Sequence, residues 1–150
     1  MQWKVKLYSS LLNGIFFGVV LTIIGNVINN GSIDWSQFPI GFLSSTIIGT
    51  IMGIIIPGGK ISEILTKMFV KPGTFLYKVI FNCFLMGIIL LYMCPLMTIF
   101  NGCILGGATI MMVLPDMFLM APYFFVICVP LLLFIGDSIM NLAFKLAKSR

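Results

Sequence analysis

Asn13-Gly-Ile-Phe-Phe-Gly18 reads NGIFFG, and a little under half a chain length later Asn82-Cys-Phe-Leu-Met-Gly87 reads NCFLMG. Each stretch sets one polar amide and at least one glycine inside an oily run. The runs around them decide the solvent in which the chain folds. Hydrophobic residues fill 60% of the 150 positions and charged residues only 9%. A soluble domain carries roughly a quarter charged residues, because it must cover itself with hydrated surface. This chain has too few, so its solvent is lipid.

Crossing the hydrocarbon takes about 20 largely apolar residues at a rise of 1.5 Å each. Four segments meet that requirement, at 7–28, 38–56, 76–99 and 118–135. Lipid offers no partner to a bare backbone, which makes runs of this length helices. The first is too long for a signal peptide, and no small-x-small cleavage site follows it before Trp35, so it is read as a retained span.

All nine cations fall in three places. Lys4 and Lys6 precede the first span; Lys60, Lys67, Lys71 and Lys78 lie between the second and third; Lys145, Lys148 and Arg150 follow the fourth. Short cytoplasmic segments of membrane proteins carry the excess of lysine and arginine. Both termini and the central loop are therefore expected in the cytoplasm of a bacterial cell, with the protein multi-pass in its inner membrane. The net charge of +5 does not indicate nucleic acid, because the cations form no isolated basic face interleaved with aromatics. Histidine is absent, which removes the commonest metal ligand. Cys83, Cys94, Cys103 and Cys128 show no CxxC pairing, and three of them fall in apolar segments as small hydrophobes. No metal site and no cofactor is expected.

Further echoes accompany the opening pair. Asn30-Gly31 closes the first span and Asn101-Gly102 the third, while GGKISEILTK at 58–67 aligns with GDSIMNLAFK at 136–145. The expected architecture is an all-α integral membrane protein, an up-down-up-down bundle of four transmembrane helices made of two similar helical hairpins. The halves are residues 1–72, with an amphipathic cytoplasmic helix, and 73–150, with an amphipathic tail. An even number of spans in each half makes the repeat parallel. In Asn30, Gly31, Trp35, Phe38 and Pro57, and again in Asn101, Gly102, Phe118, Pro122 and Pro130, each half resembles a small bacterial two-helix membrane unit, domain of unknown function twenty-seven ninety-eight. The second half departs from that pattern in lacking a loop tryptophan. The resemblance implies a helical hairpin and no reaction.

Helices in lipid associate through close packing and hydrogen bonds. Gly41, Ser45, Gly49 and Gly53 recur at strict fours, and Gly14, Gly18, Thr22 and Asn26 answer them, so these two faces are expected to meet in an antiparallel hairpin. Gly87 is the third span's counterpart. Ile61, Ile64, Leu65, Met68 and Phe69 make one face of an amphipathic helix opposite Ser62, Glu63, Thr66 and Lys67, suited either to the headgroup layer or to a partner. The tail at 139–148 repeats the idea. Between the third and fourth spans, residues 100–117 read as an outer loop, without charge before Asp116, that lies on the interface, re-enters, or caps the bundle.

Polar groups at membrane depth are where function is sought. Asn13 and Asn82 are placed to hydrogen-bond across helices or to form a polar constriction, with Asn26 on the same line. Asp137 reads either as a boundary carboxylate paired with a lysine or as a cation site helped by Ser138 and Asn141. No nucleophile–base pair is visible, and Gly58-Gly59-Lys60 lacks the rest of a phosphate loop, so no enzyme is expected. Two functions remain. One is an oligomeric transporter or channel-like protein; the other is an accessory or assembly subunit held against a larger membrane-protein partner. Topology has a direct check: an impermeant thiol reagent on intact cells is expected to label Cys103 and spare Cys83, and the reverse pattern inverts the orientation.

Overall fold

The computed structural model describes residues 2–148, which leaves Arg150 outside the described residues. Helix α1 (Gln2–Asn30) is followed by α2 (Phe38–Ile55), α3 (Gly58–Phe69), α4 (Phe75–Thr98), a π-helix (Ile99–Leu105) that continues α4, and α5 (Ile110–Lys148). No strand occurs among the described residues. Four helical stretches are long and apolar enough to cross a membrane: Trp3–Ile28, Phe38–Ile55, Phe75–Leu105 and Ile110–Lys148.

Small residues set how α1 meets α2. Their contacts descend along one helix as they ascend along the other, so the two run antiparallel. Ser10 lies against Gly53, Gly14 against Gly49 and Thr50, Gly18 against Phe42 and Thr46, and Thr22 against Gly41. The Gly14 Cα stands 3.5 Å from the place a Gly49 Cβ would take. The threonines of α2 fill the hollows left by the glycines of α1. Thr50 Oγ1 donates back to the Thr46 carbonyl at 2.7 Å, which covers its hydroxyl within its own helix. The remaining core is apolar, built from Phe17, Leu21 and Ile24 of α1, Met86, Leu90 and Met93 of α4, and Phe124, Cys128 and Leu132 of α5.

Pro57 separates α2 from α3. Ile56 takes the extended conformation that a residue before proline prefers, with φ −90° and ψ 118°. Ile135, which aligns with Pro57 when 58–67 is set against 136–145, imposes no such break. The tail at 139–148 accordingly forms the last turns of α5. At 39 residues α5 extends about 58 Å, well past a hydrocarbon core of about 30 Å. Pro115, Pro122 and Pro130 lie within it.

The loop expected at 100–117 is largely helical as well. After Thr98 the chain widens into the π-helix and turns only at 106–109, where Gly107 has φ +65°. The Gly106 amide donates to the Asn101 carbonyl and the Ala108 amide to that of Gly102, both at 2.9 Å. With no charged or strongly hydrated side chains before Asp116, this stretch meets its backbone needs internally, as a segment at a lipid boundary must. A Cβ on Gly102 would stand 2.6 Å from Val113 Cγ1, so glycine is what lets the return strand of chain pass so close.

Helix α3 folds back on α4 through a turn at Pro72-Gly73, with Gly73 at φ +94°. Thr74 caps α4 by accepting from the Tyr77 amide at 3.1 Å. The face of α3 that packs is Ser62 and Thr66, both fully buried. Ile64 and Met68 point away at 64% and 74% exposure, while Phe69, also largely exposed, stacks its ring on Phe84 of α4 with centroids 5.9 Å apart. That inversion suits lipid, where small residues gain contact and apolar ones need no protein cover. Glu63, held below its usual range by the Lys67 ammonium at 2.6 Å, stays on the exposed side.

In the loop between α1 and α2, Asp34 Oδ1 accepts from the Ser36 amide at 2.9 Å and its hydroxyl at 2.6 Å. The Ser36 hydroxyl, then its amide, hold the Asp34 carboxyl below its ordinary value. A depressed carboxylate contributes to the turn above its unfolded pKa of about 3.9 and loses that contribution as pH falls through the lower folded value. Emission of the adjacent Trp35, read in a Trp3→Phe background, should therefore stay flat down to about pH 4 and change below it. Ser36→Ala should move the midpoint upward.

The seam makes a second prediction. An alanine Cβ at Gly14 would fall on Thr50 Oγ1 and 3.0 Å from the Thr46 carbonyl oxygen; at Gly18 it would fall on Thr46 Oγ1 and 3.2 Å from that of Phe42. Gly14→Ala or Gly18→Ala is expected to cost about 1–3 kcal/mol, seen as a lower unfolding midpoint in detergent. Gly87 has no neighbour within 4 Å of its Cβ position and forms no close helix approach, contrary to its expected packing role. Gly87→Ala should leave the midpoint unchanged or raise it.

Candidate functional site

The end of the bundle away from the lysines is not filled. There α1 and α4 stand apart, and Leu21, Gly25, Met97 and Asn101 form a wall shared by two open cavities. The cavity on the α5 side has a volume of about 300 Å³ and is bordered by Met93, Cys94, Met120, Val113 and Phe124. Its neighbour on the α2 side, about 590 Å³, is bordered by Thr22, Asn26, Asn30, Gln37, Ser45 and Gly106. Together they make one vestibule with an apolar flank and an amide-and-hydroxyl flank. Below it, toward the lysines, Phe17, Met86, Leu90, Cys128 and Leu132 close the bundle.

Local backbone geometry explains how the polar flank is held. Asn26 Nδ2 donates to the Thr22 carbonyl one turn earlier at 2.9 Å, and Ser45 Oγ donates to the Gly41 carbonyl at 2.6 Å. Ser44 Oγ donates to the Gly41 carbonyl at 3.0 Å and reaches Asn101 Oδ1 at 3.4 Å, joining α2 to the π-helix. Thr22 Oγ1 is buried without a protein partner, and Thr46 Oγ1 shares that condition in the seam. Each amide and hydroxyl bonded to its own helix retains further capacity, so the vestibule can donate to and accept from an uncharged polar guest. None of the residues bordering it is charged.

The residues singled out in the sequence divide between two places. Asn26 lies in the vestibule. Asn13 donates weakly to Ser9 Oγ at 3.4 Å on its own helix, and Asn82 donates to the Lys78 carbonyl at 2.9 Å on its own. Neither borders the vestibule. No hydrogen bond joins Asn13 to Asn82 among the described residues; each amide instead donates a turn back along its own helix. Asp137 receives the Lys78 ammonium at 2.9 Å, linking α5 to α4 where both side chains are well exposed, a pairing worth little in water. Ser45, Gly41 and Thr22, expected only as packing residues, also border the vestibule.

Gln37, Met97 and Met120 escaped sequence reasoning. Asn30 and Asn101 were visible only as turn residues of the repeated Asn-Gly pairs. Their recurrence at both span ends was the available signal, since it puts two amides at one end of any bundle of this kind. Among the described residues no three His, Cys, Asp or Glu side chains gather in a metal-holding group, and all four cysteines are free. No family model, curated protein or solved structure matches this chain, so the chemistry of the vestibule is argued from its own walls.

Proposed function

We propose that the chain is an up-down-up-down bundle of two similar two-helix units, seated in a bacterial inner membrane with both ends in the cytoplasm, and that it works as a small oligomeric transporter or channel-like protein. The vestibule carries this reading. It opens at the end opposite the lysines, offers uncharged hydrogen-bonding groups beside an apolar wall, and stops at a packed core, as a pathway closed on one side would. The antiparallel run of α1 and α2 supports the up-down arrangement. Four helices enclose little space, and this favours assembly of several copies. The likeness of each half to the two-helix unit, domain of unknown function twenty-seven ninety-eight, belongs to the same reading.

An accessory subunit would hold its partner through glycine ridges and amphipathic helices. The glycine ridges of α1 and α2 are consumed inside the hairpin by each other, which leaves that reading chiefly the exposed apolar side chains of α3. The deciding experiment uses Gly25, which borders both cavities and whose Cβ position has no neighbour within 4 Å. Gly25→Phe should fill the vestibule without disturbing the fold. Native mass spectrometry after mild-detergent extraction should show a homo-oligomer carrying a small molecule in the wild type and an empty homo-oligomer in the variant. A stoichiometric complex with a different membrane protein, unchanged by Gly25→Phe, would establish the accessory role instead.

A further inference from the structure

Sulfur is concentrated on the apolar side of the vestibule. Met86, Met93, Cys94 and Cys128 belong to the buried core, and Met97 and Met120 pack against it. On α4, Met93 and Met97 are one turn apart with Cys94 between them; on α5, Met120 and Cys128 share a face at two-turn spacing. Methionine commonly fills irregular gaps in cores, and cysteine serves as a small hydrophobe. A gap-filling side chain, however, leaves no gap. Met93, Cys94, Met97 and Met120 border an open space of about 300 Å³.

Thiolate and thioether donors without imidazole or carboxylate select soft ions, Cu(I) above all. Zinc would find neither histidine nor a three-ligand cluster here. Charge balance points the same way. A net charge is costly in an apolar interior, whereas one thiolate with one monovalent cation is neutral and thioethers add donors without charge. Cys94 borders the cavity, so its proton has a way out, while Cys128 is fully buried behind it.

We infer that the sulfur-lined cavity is a Cu(I) site, held by the Cys94 thiolate and the thioethers of Met97 and Met120. Binding replaces the Cys94 S–H bond by an S–Cu bond and releases one proton for each ion taken up, with no change of oxidation state. The site does not depend on the chain being a transporter, because occupancy is read on the purified protein.

The test titrates reduced protein in detergent with Cu(I) against a chromophoric Cu(I) chelator, with the proton released followed in parallel. One ion per chain and one proton per ion are expected, with only sulfur neighbours in the copper K-edge absorption spectrum. Met97→Leu and Met120→Leu conserve volume, and each should weaken binding by roughly 10–100-fold, the range for disturbing a metal's surroundings, while elution and helical circular dichroism stay unchanged. Cys94→Ser should abolish both uptake and proton release. The double variant Cys83→Ser with Cys103→Ser should bind as the wild type does. Failure of the wild type to take Cu(I) from the chelator overturns the assignment, as does retained binding in Cys94→Ser or loss of binding in the Cys83 and Cys103 double variant.

Discussion

In lipid the hydrophobic effect does not press one helix against another, because the tails are as apolar as the side chains. What holds this chain together must be contact, and the closest contact is the seam in which Gly14 and Gly18 of α1 admit Thr50 and Thr46 of α2. Bulky side chains there would hold the helices apart and leave the seam's hydroxyls facing hydrocarbon. With the seam closed, Phe17, Leu21 and Ile24 are presented to α4 and α5 as one surface. The larger core is assembled on that hairpin.

The same constraint shows where sequence reasoning succeeded. Four apolar runs and small residues at fours are properties of composition and period, so the spans and the residues of the α1–α2 seam were legible. Their partners were less so: Thr46 and Thr50 lie beside the Gly41–Gly49 line, and helix phase alone does not decide which neighbour fills a hollow. The outer loop was misjudged because turn residues such as Asn101, Gly102 and Gly106 were weighed above backbone satisfaction, which kept Ile99–Leu105 wound. The tail's continuity with α5 was not legible from its amphipathic pattern, which does not say where one helix ends; Pro57 supplies a break after α2, and no proline stands at Ile135.

The vestibule was legible in Asn26 alone. A cavity belongs to the space between helices, and no periodicity within one helix reports it. Asn13 and Asn82 drew notice through their repetition, yet each finds a partner one turn back on its own helix. Repetition in sequence drew the eye to these positions, while the gap between α1 and α4 selected which amides face an opening. The polar and sulfur-bearing flanks meet at Leu21, Gly25, Met97 and Asn101, so a guest in either cavity touches walls that belong to both.

Helix α3 has one further effect. Because Gly58 reaches Leu85 and Ile88, α3 lies alongside the first half of α4 and adds a fifth helix, about 10 Å across, to the lysine end of the bundle. At the opposite end there are four helices with open space among them. With its apolar helices set across a bilayer, a section of this kind would be broader on the lysine side than on the other. A flat bilayer around such a section would have to splay its acyl chains to fill the narrow side and compress them on the broad side, which would couple the protein's local free energy to membrane curvature and lateral pressure.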